Sequence, residues 1–229
     1  MLTAEKLHLT GNQLKLLALI TMTCDHIGVT FFPQALWLRI IGRLALPICA
    51  YMIAEGCRHT RNRKRYLLSI LAVAALCQAV YFVAMGSLYM CIMVTFSLSV
   101  ALIYLWDYAI ARPAPQGGFL VLAALCVSWV LCEVPLFPGT DFAIDYGIFG
   151  VLLPVLIYLG RSSLKAFGMT ALGLIFLSLS RGGIQWFSLL ALIPLAFYNG
   201  TRGKAKLKYL FYIYYPAHLG VIWLISLFL

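Results

Sequence analysis

Residues 15–66 read KLLALITMTCDHIGVTFFPQALWLRIIGRLALPICAYMIAEGCRHTRNRKRY, and the reading of that stretch decides the fold. A Pro-Gln-Ala break at 33–35 divides it into two apolar spans, each long enough to cross a bilayer, followed by a basic run. The pattern predicts a hairpin of membrane helices. The hairpin carries Asp25, His26, Arg39 and Arg43, ionisable groups of a kind that lipid-facing segments exclude.

Spacing places these groups relative to one another. With a first span ending near Phe32 and a second beginning near Leu36, Asp25 and Arg43 each fall roughly 10 Å inside the same membrane face, at 1.5 Å per residue. They are expected to meet across the hairpin. Arg39 and Arg43 are one turn apart on a shared face, and Lys15, Leu19, Met22 and His26 form a second helical stripe. Asp25 and His26 point about 100° apart, so the expectation is that Asp25 neutralises an arginine while His26 faces a cavity. An Asp–Arg pair can also be a plain helix lock, and a histidine a packing group; intramembrane ionisable residues are nonetheless functional candidates by default.

Composition sets the class. The 229 residues are 63% hydrophobic, with a mean hydropathy of +0.96, which specifies an all-α, polytopic helical membrane protein forming a single domain over 1–229. A short segment with Lys6, His8 and Lys15 precedes the first span, which continues through Asp25 and His26 with no small-residue cleavage site and reads as retained. The net charge of +10 does not point to nucleic acid, because the basic residues sit in short blocks between apolar spans, where they set topology. Cys24, Cys49, Cys57, Cys77, Cys91, Cys126 and Cys132 show no metal-ligand spacing and read as packing residues, so no metal is expected.

Apolar runs between charged breaks give about nine spans, near 14–32, 36–56, 66–85, 88–106, 117–132, 146–160, 164–180, 183–199 and 209–228. The segments 57–65, 160–165 and 199–208 are basic, whereas 133–145 is acidic and carries no basic residue. The positive-inside rule then puts the N-terminus in the cytoplasm and the C-terminus outside. Glu55 ends the second span beside Arg58, and Gly42 and Pro47 are expected to bend it. Asp145 and Tyr146 open the sixth span at the outer face as an interfacial anchor. In the last span Pro216 and His218 interrupt an aromatic helix, with His218 at a depth similar to that of His26.

A histidine in a dry site can be a neutral general base while nearby arginines hold a developing oxyanion, a set suited to acyl transfer. The donor expected is a cytoplasmic acyl-coenzyme A, its phosphates met by Arg58, Arg61, Arg63, Lys64 and Arg65. The same run equally fits a topogenic block beside lipid phosphates. There is no P-loop, GxSxG, HExxH or dinucleotide fingerprint.

The motifs MxxDHIG at 22–28, LRxIGRxAxPxxAYxxxEG at 38–56, HTRNRxxY at 59–66 and YxxYPxHL at 212–219 resemble those of the TraX family, with a weaker DYGxxGVLLP echo at 145–154. The resemblance implies a multi-pass enzyme of the bacterial cytoplasmic (inner) membrane, with acetyl-coenzyme A as donor. For the founding member the acceptor is the N-terminal amine of a membrane-inserted pilin subunit. The family is similar to a wider group of transmembrane acyltransferases that use an intramembrane histidine. Carried onto this chain, the resemblance implies a catalytic His26, with Asp25 and His218 beside it. It marks Arg39, Arg43, Glu55, His59, Thr60, Arg61, Asn62, Tyr66 and Tyr215 as the motif-bearing remainder; our reading of the residues then takes Arg39, Arg43 and Glu55 as supporting charges, sets Arg58, His59, Thr60, Arg61, Asn62, Arg63 and Tyr66 on the donor, and Tyr146 and Tyr215 on the acceptor side. The acceptor itself, a protein N-terminus, a glycan or a lipid, is open. The competing readings are a proton-coupled transporter or flippase for an anionic substrate and a non-enzymatic assembly factor.

Overall fold

A computed structural model describes residues 8–205 and 207–228; Lys6 and Lys206 lie outside them. The described residues are helical almost throughout: α1 (Gly11–Thr30), α2 (Leu36–Gly42), α3 (Ala45–His59), α4 (Arg63–Met85), α5 (Ile92–Ile110), α6 (Ala114–Glu133), α7 (Gly147–Leu159), α8 (Ser163–Arg181), a 3₁₀ segment (Gly183–Ala191), α9 (Leu192–Ala196) and α10 (Lys208–Ser226). Among the described residues five stretches are long and apolar enough to cross a membrane: Leu36–His59, Arg63–Met85, Ile92–Ile110, Ala114–Glu133 and Ser163–Arg181. The all-α membrane class follows. The count of nine crossings does not follow with it: α1 and α10, which hold the first and last predicted spans, are not among these five, and α7 and the stretch Gly183–Ala196 are shorter than the roughly 20 residues a crossing needs.

The second predicted span is broken where its sequence is least able to remain helical. Pro47 has no N–H for the Arg43 carbonyl, and its ring crowds that carbonyl, so α2 ends at Gly42 and α3 restarts at Ala45 with the proline in its first turn. In α10, by contrast, Pro216 is accommodated inside one continuous helix. The expected interruption there is absent.

Core packing centres on α7. Val151, Leu153 and Ile157 are fully buried, and α7 packs against α3, α5 and α8. The main cluster joins Leu14 and Ala18 of α1, Ile48, Ala50 and Ala54 of α3, and Leu174 and Leu177 of α8. Helices α4 and α6 sit outside this core and leave Leu76, Phe82, Val83, Phe119, Leu122 and Trp129 exposed, the apolar surface that lipid would cover.

Two lashings fix the ends of the bundle. At the end carrying the basic loops, Thr10 forms a reciprocal cap with Gln13, while the amides of Gly11 and Asn12 donate to the carbonyls of Thr201 (2.7 Å) and Arg202 (3.0 Å). At the opposite end Met90 N–H donates to Ala143 O and Asp145 N–H to Met90 O, joining the segment before α5 to the segment before α7.

Candidate functional site

Asp25 is the hub of a buried ion cluster. Gly42 makes its position possible, since a Cβ at residue 42 would overlap the Asp25 side chain. Arg43 Nη2 donates to Asp25 Oδ1 and Oδ2 at 2.6 and 2.7 Å, while Arg39 Nε lies 3.1 Å from Oδ1 without hydrogen-bond alignment. Both arginines of the predicted stripe therefore share one carboxylate. The Arg43 residue is only 8% exposed, and its Nη1 donates to Tyr146 Oη (3.0 Å) and Gln185 Oε1 (3.4 Å).

Tyr146 is thus more than the interfacial anchor that its place at the start of α7 suggested. Its backbone is left-handed at φ 60°, which turns the chain into α7. Asp145 beside it accepts from Tyr89 Oη (2.6 Å) and, through its carbonyl, from Thr95 Oγ1 (2.8 Å). Gln185 had no signal in the sequence, because only the 3₁₀ turn after α8 carries it to Arg43.

His26 and His218 come together although 192 residues separate them. His26 Nδ1 lies 2.8 Å from His218 Nε2, and His218 Nδ1 lies 2.9 Å from the Tyr214 carbonyl oxygen. A carbonyl only accepts, so His218 Nδ1 carries the proton. With both rings neutral, His218 Nε2 accepts from His26 Nδ1–H, and His26 Nε2 keeps the free lone pair. Tyr214 stacks on His218, and its hydroxyl meets Thr23 Oγ1 at 2.7 Å, fixing α10 against α1 one turn before the two rings.

A cavity of about 530 Å³ opens at the end of the bundle that carries the basic loops. Lys15, His59, Thr60, Gly200 and Arg202 are among its walls, and so are the apolar Leu19, Met22, Ile70, Met93 and Phe96. His26 is not on this wall. The stripe of Lys15, Leu19 and Met22 follows the cavity as predicted, but the cavity ends one turn before the histidine. Tyr215, expected on the acceptor side, lines the cavity as well.

The basic run is only partly turned toward this space. His59, Thr60 and Tyr66 line it, with Tyr66 packed closely on Gly56. Arg58 faces elsewhere: Nη1 holds Glu55 at 2.7 Å, and Nη2 donates to the Ile157, Tyr158 (3.1 Å) and Gly160 (2.7 Å) carbonyls at the end of α7. Arg58 is therefore the C-terminal cap of α7, a favoured place for a cation. Arg63 is held by Asp107 at 2.6 Å and stacks over Tyr104. Asn62 caps α4 through Arg65 N–H (2.8 Å), and Arg61 is exposed. Glu55 also accepts from Tyr198 Oη (3.3 Å) and lies 3.5 Å from His59 Nε2. Among the described residues Lys15 and Arg202 are the lysine and arginine that line the cavity, and the expected donor set contained neither.

A polytopic helical protein with a buried ion cluster, a paired histidine and a nearby, mainly apolar cavity is the class that this geometry defines. The family model described as TraX protein matches residues 10–226, and the chain belongs to that family. It is similar to the "Probable fimbrial assembly protein FimC, serogroup H1" of Dichelobacter nodosus, 27% identical across 95% of this chain and 96% of the relative. A shorter likeness, 50% identical over 38 residues, is to an uncharacterized protein of Rickettsia prowazekii (strain Madrid E), covering 17% of this chain and 15% of that one. No solved structure matches.

Proposed function

We propose that the protein is a membrane acyltransferase that moves an acetyl group from cytoplasmic acetyl-coenzyme A to an amine or hydroxyl acceptor at or across the bacterial inner membrane. The observation that carries this reading is the His26–His218 pair, which leaves one imidazole lone pair, on His26 Nε2, one helical turn beyond the end of a cavity with a cationic mouth and an apolar depth. Membership of the TraX family supports it.

In this reading Lys15, His59 and Arg202 receive the donor's phosphates, and the pantetheine arm lies along Leu19, Met93 and Phe96 toward the histidines. His26 Nε2 takes the proton of the acceptor amine or hydroxyl as that group attacks the thioester carbonyl. The new C–N or C–O bond forms, the C–S bond breaks, and the departing thiolate takes up the proton. His218 holds His26 in the tautomer that does this. The Asp25, Arg39 and Arg43 cluster fixes α1 beside α2 and supplies positive charge near the site where the oxyanion develops.

Purified protein supplied with acetyl-labelled coenzyme A and membranes from cells lacking it tests the reading. Label should pass to one membrane component, with release of free thiol, and should not pass when His26→Ala protein is used. Absence of transfer by the intact protein would return the ion cluster to a transport or purely structural role.

A further inference from the structure

We propose that Met22 and Tyr215 form a closed gate between the donor cavity and the histidine pair, with Met22 the moving leaf that sets the acyl length admitted. The inference deepens the acyltransferase reading and rests on it.

Two helices place the gate. Met22 precedes His26 by four residues on α1, and Tyr215 precedes His218 by three on α10, so each lies about one turn, roughly 4.5–6 Å, before its histidine. The contact of Thr23 Oγ1 with Tyr214 Oη at 2.7 Å holds the two helices in register at that level. Met22 and Tyr215 both line the cavity, whereas neither histidine does. They are 7% and 8% exposed and belong to one buried cluster with Leu19, Leu219, Val73, Cys77 and Cys91. The end of the cavity is therefore a packed apolar roof with the imidazoles behind it.

A base acts on a proton only within hydrogen-bond reach, about 2.6–3.2 Å or one water farther. A thioester below the roof does not meet that condition, so the roof has to open during transfer. The two residues differ in their freedom to move. Tyr215 packs edge-on against His218 with centroids 5.4 Å apart and cannot swing without disturbing the pair. Met22 is unbranched, with three rotatable bonds and no hydrogen bond to break. An acyl chain longer than acetyl must occupy the space that the Met22 side chain fills, so the same residue that opens for two carbons excludes a longer chain.

Dissociation constants for coenzyme A, acetyl-, butyryl- and hexanoyl-coenzyme A, together with acetyl turnover, test the gate on the full-length protein in lipid nanodiscs. Met22→Ala should improve hexanoyl binding relative to acetyl binding by about tenfold, since each buried methylene adds roughly 0.8 kcal/mol, about fourfold. Met22→Phe should bind coenzyme A as the parent does but lose acetyl turnover by about tenfold or more. Unchanged binding of coenzyme A itself shows that each variant is folded. If the parent transfers acetyl and neither variant alters the chain-length profile, the gate is overturned and the enzyme reading stands. If the parent binds no coenzyme A thioester at all, both fall together.

Discussion

His26 Nδ1 and His218 Nε2 face each other at 2.8 Å, and the Tyr214 carbonyl behind His218 decides which ring keeps an unshared lone pair. The lone pair left over belongs to His26 Nε2. His26→Ala is therefore expected to lower acyl turnover by about 10²–10⁴, the usual worth of a general base, in protein that still inserts. His218→Ala removes the partner that sets the tautomer and should cost less, about 10–100-fold, in the range measured for groups that orient a functional histidine. If His218→Ala alone abolished transfer, the two roles would be reversed.

The hairpin, the Asp25–Arg43 pairing and the bend at Pro47 were legible in sequence because each follows from register: two spans of known rise, a break of known length, and a proline whose missing N–H falls opposite one carbonyl. What register alone does not give is the neighbour contributed by a third helix. Arg58 reads as one cation in a basic loop, and only the packing of α7 against α3 shows that it caps Ile157, Tyr158 and Gly160. Arg63 and Asp107 are similarly remote in sequence; an acid at the end of one span and a base at the start of another were the available hint. Gln185 gave none. The place where the cavity ends was also hidden, because the stripe from Lys15 to His26 is continuous in sequence and is interrupted only by the roof at Met22 and Tyr215.

The Asp25–Arg43 pair is buried enough for its loss to be felt: side-chain exposures are 16% and 10%. Asp25→Asn should lower stability by about 3–5 kcal/mol, since it leaves the buried Arg43 without its carboxylate, and Arg43→Gln should cost less, because Arg39 still faces Asp25 at 3.1 Å. Gly42→Ala should be disruptive as well, because the added methyl overlaps Asp25. Gly168→Ala, on a helix face with nothing within 4 Å, is the matched control and should be neutral or slightly stabilising. Thermal unfolding in detergent reads all four, and equal melting temperatures for Gly42→Ala and Gly168→Ala would contradict the close approach.

The cations proposed to bind the donor can be separated from the structural ones. Lys15→Gln and Arg202→Gln should each raise the Michaelis constant for acetyl-coenzyme A by about tenfold with little change in stability, as expected for uniform binding contacts. Arg58→Gln should do the converse. It strips the α7 carbonyls and Glu55 of a charged donor, so a loss of about 2–3 kcal/mol in stability is expected. Arg61, exposed, should be silent in both measurements. A donor constant that answers to Arg61 and not to Lys15 would move the phosphate site back to the basic run.

The same loops offer a test of orientation. His59, Thr60, Gly200 and Arg202 border one cavity mouth, so the 57–65 and 199–208 segments share a side. Reporter fusions at Asn62 and Lys204 should both read cytoplasmic, and a fusion at Gly139 periplasmic, in keeping with the placement of basic residues. Opposite readings at Asn62 and Lys204 would overturn the arrangement.

The loop pairing at the far end should respond to acid through Asp141. Its Oδ2 accepts from Ser87 Oγ at 2.5 Å and its Oδ1 from Leu88 N–H at 2.9 Å. The Ser87 hydroxyl, and after it the Leu88 amide, hold the Asp141 carboxyl below its usual pKa. A carboxylate with a folded pKa below the unfolded value of about 3.9 contributes stability that is present above that value and is lost as pH falls through the folded one. The tie between residues 87–88 and 141 should therefore hold at neutral pH and loosen only in acid below about pH 4. Hydrogen exchange at the Leu88 amide measures it: Asp141→Ala should exchange faster than the parent at pH 6, and the difference should shrink as the pH falls below about 4. A difference that stays unchanged through the whole acid titration would show that the carboxylate charge is not what holds this loop.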